Sequence, residues 1–549
     1  MRAAFSIFIL LLTAACATPR SAQAPQAPVI VGIIAFNDFH GALEPPKASV
    51  PVGGAAVLAS AIDTIRKRYK HHVTVSAGDL IGASPLASAL FADEPTIGAM
   101  NRMGLHFNAV GNHEFDSSTA ELRRKQHGGC ETFTSRTPCA LEPFAGAQFK
   151  FLAANVKLKD GSGTLFPGTA LESFGTGKRK VTVGFIGMLL EGTGSLVSAS
   201  GIADVTFADE ASTANVLAPG LKAQGADAVI LLIHEGGEQA HASDPNGCDG
   251  FSGAIREIAA HLDPAIDVIV SGHTHRAYVC KGGEIGIERP LLLTSAGASG
   301  TLLTDISLAI DPATRRVVSR KATNLAVLPD GNPRADIAAY VGQYVEAARP
   351  IAAHEVGRLS GAATRSEDGM GGTLGNLVAD AQLAATREDG AQIAFTNPFG
   401  LRAPLLPDES GRVNYGAVFA TQPFGNMLVT LDLTGAQIKA VLEQGFDTVG
   451  REQALSASKG FAWSYNRNRQ VGDRVVAMAL KGESIDPAKH YRVTVNTFLA
   501  GGGDDFSVFR EGRAAAPIRI GDLEALEMWI ARVPVRQVPQ ESRAVASSL

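Results

Sequence analysis

Past its first dozen residues this 549-residue chain has no apolar run long enough to cross a bilayer, a span that takes about 20 apolar residues as a helix. It has no long basic run. Lys and Arg number 49 against 54 Asp and Glu, a formal net charge of -5. That balance gives no support to a nucleic-acid polymer as partner. Its five cysteines contain no Cys-x-x-Cys pair, which argues against a cysteine-rich metal site. No short-period repeat is present, so repeat architectures drop out.

What is there is a chain too long for one core. Its 45% hydrophobic and 19% charged residues are ordinary for a globular protein. Residues 1–24 read as an export signal outside the fold: Arg2, an apolar stretch from Phe5 to Leu12, then small residues. Thr13-Ala14-Ala15-Cys16 resembles a bacterial lipobox with Cys16 lipidated, although Thr13 stands where Leu is preferred. Ala22-Gln23-Ala24 offers an ordinary cleavage site instead. The lipobox is the favoured reading. It predicts an exported protein, periplasmic or tethered to the outer membrane, that meets the membrane only through its lipid. Residues 21–28, rich in Ala, Pro and Gln, read as the tether. In an oxidising compartment the four other cysteines suggest two disulfides. Cys130 with Cys139 would clip one loop, and Cys248 with Cys280 would flank the Gly-His-Thr-His segment; four buried thiols are the alternative.

From residue 25 to 331 strand-like and helix-like segments alternate, which predicts an α/β sandwich. Asn332-Pro333 reads as a helix start, with Asn as cap and Pro at the first helical position. Ile337, Tyr340, Val341, Tyr344 and Val345 follow at helical spacing, and Pro350 should end or kink the helix. This linker (332–354) leads to a second α/β domain (355–535). The tail, 536–549, is polar and reads as frayed.

Five apolar runs in the first domain stop abruptly at polar residues. Asp38 and His40 end the first, Asp79 the second, and Asn112, His113 and Asp116 the third. His234 ends the fourth, and His273 and His275 the fifth. In open α/β folds sites form at the carboxyl ends of strands. A metal pair that cleaves phosphate esters needs anionic ligands, neutral imidazoles and an open face for water. Asp38 and His40, two apart, can converge on one ion. Asp79 can bridge two ions through its two oxygens, Asn112 offers a neutral carbonyl, and His234, His273 and His275 add imidazoles. A single His after a strand is usually a loop residue, and an Asp after Gly is usually a turn residue. The ordered set is what carries the signal.

In the second domain Phe424 and Phe498 are placed to sandwich a base, worth roughly 1–3 kcal/mol each by analogy with other base stacking. Asp504, after a Gly run, could accept hydrogen bonds from ribose hydroxyls. Arg365 and Arg402 suit phosphate, because the guanidinium fork binds two oxygens.

The ordered series Asn-Asp-Phe-His, Gly-Asp-Leu, Gly-Asn-His-Glu, His and Gly-His-Thr-His resembles the calcineurin-like metallophosphoesterases. More narrowly, it resembles the secreted 5′-nucleotidase and UDP-sugar hydrolase family. The resemblance covers the second domain too, through Thr373–Asp380, Asn397–Arg402, Pro423–Asn426 and Phe498–Phe506. It implies a four-layer αββα domain, a linker helix and an α/β nucleotide-binding domain. It implies two divalent ions, zinc or manganese before cobalt. One would be held by Asp38, His40, Asp79 and His275, the other by Asp79, Asn112, His234 and His273. His113 and Asp116 match the catalytic dyad. Arg365, Asn397, Arg402, Phe424, Asn426, Phe498 and Asp504 match substrate positions.

Two features depart from the family pattern. Asn397-Pro398-Phe399-Gly400-Leu401-Arg402 stands where a Gly-rich stretch is common, and Asp505 follows Asp504 where Gly is common. The segment 366–372 is lengthened. The implied activity is phosphate release from nucleoside 5′-monophosphates, extending to UDP-sugars or 2′,3′-cyclic nucleotides. A thiosulfohydrolase of the same architecture and a non-catalytic surface protein are the alternatives. The sequence leaves the oligomeric state open.

Overall fold

The computed structural model describes residues 27–46, 52–134, 136–329, 332–366, 371–446, 452–517 and 519–547. The signal segment and Cys16 lie outside these residues, as does most of the segment after Arg365.

Strands β1 (Val29–Phe36), β2 (His71–Ser76), β3 (Phe107–Ala109) and β4 (Lys150–Leu152) lie side by side and parallel. A second sheet takes β5 (Thr169–Phe174), β6 (Val181–Leu189), β7 (Ala228–His234), β8 (Val268–Ser271), β9 (Ala277–Lys281) and β10 (Leu292–Ala296). Then β11 (Leu302–Asp311) and β12 (Arg316–Ala326) return to the first sheet. The orders are β12-β11-β1-β2-β3-β4 and β9-β10-β8-β7-β6-β5. Strands β6, β7, β8 and β10 run parallel. Every residue of β6 and β7 is buried, because a sheet covered on both faces leaves its central strands no exposed side.

Helices cover the outer faces. Helices α1 (Ala55–Arg66), α2 (Glu94–Met103) and α3 (Thr119–His127) lie on the first sheet's side. Helices α4 (Glu210–Ala223) and α5 (Ala254–His261) pack on the second. A third apolar layer, including Val31, Val75, Phe185, Ile230 and Val270, fills the space between the sheets. This is an αββα sandwich.

The linker helix α6 runs Ala335–Ala353. It begins at Ala335, not at Asn332-Pro333. Arg334 precedes the first turn, and its guanidinium pairs with Asp336 and Asp63 while its amide donates to the Ala56 carbonyl. Nor does Pro350 end it. The helix runs three residues past that proline, forgoing the one backbone bond that its missing N–H would have made to the preceding turn. Buried Ile337, Tyr340, Val341 and Tyr344 fasten α6 to the first domain.

The second domain contains α7 (Gly372–Ala385), β13 (Ile393–Thr396), α8 (Tyr415–Thr421), β14 (Leu428–Thr434) and α9 (Gly435–Gln444). Next come β15 (Ser456–Ala457), β16 (Phe461–Tyr465), β17 (Val475–Leu480), β18 (Glu483–Ser484), β19 (His490–Asn496) and β20 (Arg513–Ala514). Helix α10 (Asp522–Ala531) and strand β21 (Ala544–Ala546) complete it. One sheet has the order β15-β13-β19-β14-β20, the other β18-β17-β16-β21. Within the described residues, to 547, the segment expected to fray is held in place: β21 pairs in parallel with β16. Beside it Arg543, 4% exposed, makes a two-pronged ion pair with Asp380 at 2.6 and 3.0 Å. A buried guanidinium with its carboxylate holds this segment against the domain, which polarity alone does not reveal.

A candidate two-metal centre beneath a second-domain clamp

Because β1, β2 and β3 are parallel neighbours, their carboxyl ends share one edge of the first sheet. The ends of β7 and β8 meet them there from the second. The turns are bonded to one another: the Asp38 amide donates to Gly78 O at 3.0 Å and the His40 amide to Asp79 O at 2.9 Å. His234 crosses between the sheets, its Nδ1 donating to Ala77 O at 2.7 Å.

The result is a nest of Asp and His. Asp38, His40 and His275 offer atoms within 4.8 Å of one another, and so do Asp38, Asp79 and His234, and His40, Asp79 and His113. His273 Nδ1 lies 3.1 Å from Asn112 Oδ1. Asp79 and Asp38 thus stand between two groups of imidazoles. Asp38, His40, Asp79, His273 and His275 all have left-handed backbones, with φ from 47° to 71°. Side chains with a Cβ rarely adopt this conformation, and it collects at functional sites.

Glycines leave room for these ligands. A Cβ on Gly78 would meet His234 Nδ1 at 2.6 Å, and one on Gly111 would meet Asp79 Oδ1 at 2.2 Å.

The donor set fits divalent cations. With Nδ1 of His234 donating to Ala77, its Nε2 is the ring atom left to face Asp79, and it offers a lone pair whenever the ring is neutral. That Nε2 is buried with no aligned hydrogen-bond partner, yet lies 3.0 Å from Asp79 Oδ2. His40 Nε2 faces His275 Nε2 at 3.0 Å. Such closely apposed nitrogen and oxygen atoms are satisfied by a proton or a cation between them. Burial opposes charging His234, but Asp79 and Asp38 outweigh it and push its pKa up to about 10. The field that would draw a proton there draws a cation equally. Burial, aided by the neighbouring imidazoles, holds His40 neutral with a pKa of about 3, the form a ligand must take. Burial works against charge on Asp79 also, yet the His234 and His113 charges hold its carboxyl well below the ordinary range. Asp, His and Asn together suit zinc, manganese or cobalt.

His113 sits at the rim, its Nδ1 2.8 Å from Asp116 Oδ2. Burial disfavours the imidazolium, but Asp116 and then Asp79 prevail and raise its pKa. Its ring lies nearly parallel to Phe424 of the second domain, 10° between planes and 5.8 Å between centroids. The Arg402 guanidinium is 5.9 Å from the same phenyl ring. Asn397 and Asp504 are buried and paired with each other, Nδ2 to Oδ2 at 2.6 Å. Phe498 is half-buried in a short helical turn, so close to Gly503 that a Cβ there would lie 2.5 Å from its ring. Arg365 is exposed and donates to Pro398 O at 3.3 Å. Asn426 accepts a long bond from Thr497 Oγ1, 3.5 Å. Cys130 is joined to Cys139 and Cys248 to Cys280.

Glu114 is a residue the sequence reading passed over. It is 2% exposed. Its Oε2 accepts from the amides of Asp79 (2.9 Å) and Gly111 (2.5 Å), and its Oε1 from Leu80 (2.8 Å). One carboxylate thus clamps the turns that carry Asp79 and Asn112. Asn37 does similar work for Asp38: its Nδ2 donates to Asp38 Oδ2 and to Gly297 O, both at 2.7 Å. The Gly-Asn-His-Glu motif displayed Glu114, but nothing local tells that its oxygens also face the amides of Asp79 and Leu80, over 30 positions back.

Residues 32–277 match the family model of calcineurin-like phosphoesterases, and residues 350–511 that of the 5′-nucleotidase C-terminal domain. A cell wall protein of Listeria monocytogenes is 29% identical over 91% of this chain and 67% of its own length. An endonuclease of Bacillus subtilis is 30% identical over 87% of this chain, which spans only 37% of that protein. Among solved structures, a 5′-nucleotidase precursor from Thermus thermophilus is 25% identical with a TM-score of 0.75, covering 95% of this chain and 100% of that one. A sulfate thiohydrolase, SoxB, from the same organism shares the fold alone, at 17% identity and a TM-score of 0.68 over 96% and 98% of the two chains. With both halves matched in order over one continuous architecture, the chain belongs to the calcineurin-like phosphoesterases that carry a 5′-nucleotidase C-terminal domain, a family of metal-dependent phosphoester hydrolases.

Proposed function

We propose that the protein is an exported 5′-nucleotidase that releases phosphate from nucleoside 5′-monophosphates. One observation carries this: Phe424 and Arg402 of the second domain stand over His113 of the metal-ligand nest. A phosphate held at the nest thus has an aromatic face and a guanidinium next to it, where a nucleoside attached to that phosphate would lie. UDP-sugars and 2′,3′-cyclic nucleotides carry the same recognition groups and extend the candidate list.

Asp38, His40, Asp79 and His275 would hold one divalent ion, and Asp79, Asn112, His234 and His273 the other. Such a pair supplies Lewis acidity and a water of lowered pKa beside the phosphorus. The side chains do the rest. Asp116 fixes the His113 ring through Nδ1, leaving Nε2 for the substrate. The imidazolium, favoured by Asp116 and Asp79, stabilises negative charge building on the phosphoryl oxygens and gives a proton to the departing ester oxygen. Arg402 neutralises phosphate charge, and Phe424 excludes water from that side.

The test is phosphate release across nucleoside monophosphates, cyclic nucleotides and UDP-sugars, with added zinc or manganese and after chelation. Chelator-sensitive release from AMP or UMP is expected. Hydrolysis of S-sulfonated thiols with none of nucleotides would favour the thiosulfohydrolase reading, and no hydrolysis at all a binding role. Export and the Cys16 lipid are part of the proposal. Palmitate labelling lost in Cys16→Ser supports the anchor, and unlabelled protein rejects it.

A further inference from the structure

The second-domain residues over His113 hang from one short helix. Helix α8 ends at Thr421. Its Thr421 carbonyl accepts from the Arg402 amide at 2.9 Å, and Phe424 follows three residues on. Whatever fixes the end of α8 against the first domain fixes Arg402 and Phe424 over the metal-ligand nest. Helix α6 holds one side, with Ala352 against Gly416. From the first domain itself Arg136 reaches across: its guanidinium lies 5.3 Å from the ring centroid of Phe419, a fully buried residue of α8.

Arg136 sits in the loop that the Cys130–Cys139 disulfide closes, and that loop is built on a buried charge cluster. Glu94, Glu121, Arg124 and Lys125 are each at most 4% exposed. Arg124 bonds Glu94 at 2.6 Å, grips Glu121 with two nitrogens and donates to Gly129 O at 2.8 Å. Lys125 also reaches Glu121. Both oxygens of Glu94 accept from the Cys139 amide, at 3.0 and 3.1 Å. Three residues beyond Cys139, just outside the closed loop, Glu142 accepts from Tyr344 of α6 at 3.2 Å. The loop is tied at its base and at its closure, and the chain that leaves it is tied to the linker helix. Arg136 itself is half-buried and has no carboxylate partner among the described residues.

From this geometry we infer that Arg136, carried on the disulfide-closed loop, is a positioning residue for nucleotide recognition: it holds α8, and through it Arg402 and Phe424, in register with His113. It touches no reacting atom. Loss of the contact should weaken binding of a nucleotide more than that of an ester with no nucleoside, which gives up the Arg402 share alone. The inference rests on the nucleotidase reading above.

The test uses the full mature chain with its metals. It compares AMP with p-nitrophenyl phosphate in Arg136→Ala, Arg136→Lys and the double variant Cys130→Ser/Cys139→Ser. A half-buried cation–aromatic contact corresponds to about a 5- to 10-fold change. KM for AMP should rise by that factor in Arg136→Ala and in the double variant, with kcat within about two-fold, and Arg136→Lys should restore most of it. The ratio of kcat/KM for AMP to that for p-nitrophenyl phosphate should fall accordingly. An unchanged ratio overturns the inference, as does an equal loss on both esters. A wild-type protein that hydrolyses p-nitrophenyl phosphate but no nucleotide would instead remove the nucleotidase reading itself.

Discussion

Consider Glu114→Ala. The carboxylate accepts from three buried amides, and a buried donor left without a partner costs about 1–3 kcal/mol. Three of them set an upper range of about 3–9 kcal/mol. Against this stands the cost of the carboxyl itself. Burial, then the Asp79 charge, push its pKa up to about 7 from 4.5. That shift is worth ~3 kcal/mol of destabilisation once the pH exceeds 7. The sign follows from linkage: the unfolded chain gives up this proton near the ordinary value, the folded chain only near 7, so the penalty grows between those pH values and then levels. A water entering the vacated space would recover part of the loss. A net destabilisation of about 3 kcal/mol at pH 8 is expected, the low end of the range. With the turns bearing Asp79 and Asn112 released, metal affinity should drop about 10- to 100-fold. Glu114→Gln keeps the shape but turns an NH₂ toward amide donors, so it should lose at least as much affinity. Urea unfolding at pH 8, metal titration and phosphate release from AMP together read the outcome. Wild-type metal affinity with a stability loss below about 1 kcal/mol would refute the clamp.

Three further outcomes are expected. His113→Ala should lower kcat for AMP by about 10²- to 10⁴-fold with bound metal unchanged by elemental analysis; loss of metal alongside would mean that His113 is a ligand. Asp522, at the start of α10, is fully buried and its pKa is pushed up to about 7 by burial, so stability should fall by about 4 kcal/mol as pH rises from 4 to 7 and then level. Asp522→Asn should flatten that part of the profile in thermal melts across pH, and an unaltered profile would count against the burial argument. Arg543→Met leaves Asp380 buried without its partner, which should cost about 3–5 kcal/mol in denaturant unfolding; a change under 1 kcal/mol would mean that β21 is held by strand pairing alone.

The metal-ligand cluster was legible because its chemistry and its topology share one signal. Apolar runs that end in Asp, His or Asn mark strands whose carboxyl ends can meet, and the parallel order of β1, β2 and β3 brings Asp38, Asp79 and Asn112 together. What holds those ligands was not legible. Glu114 and Asn37 act on backbone amides and carbonyls, which have no residue identity to pair with. Helix α6 was visible by its periodicity, but its first turn follows the Arg334 ion pairs and its last turn tolerates Pro350. The end of the described chain misled for a related reason: Arg543 and Glu541 look like solvated charge, and only the fold shows Asp380, 163 positions earlier, waiting for Arg543. The second-domain residues were visible as types, while the stacking of Phe424 on His113 depends on how two domains meet.

The left-handed backbone of five candidate ligands has a consequence for supply. Each such residue carries on the order of 1 kcal/mol of strain, and Asp38 and Asp79 add mutual repulsion. Bound cations offset both, so the metal-loaded fold outlasts the empty one by RT ln(1 + [L]/Kd), about 2.7 kcal/mol at a free concentration of 100 Kd. Copies that meet too little metal would open more often and be cleared by proteases before they turned over any substrate. Scarcity of the ion would then set how much of this protein accumulates as well as how fast each copy works.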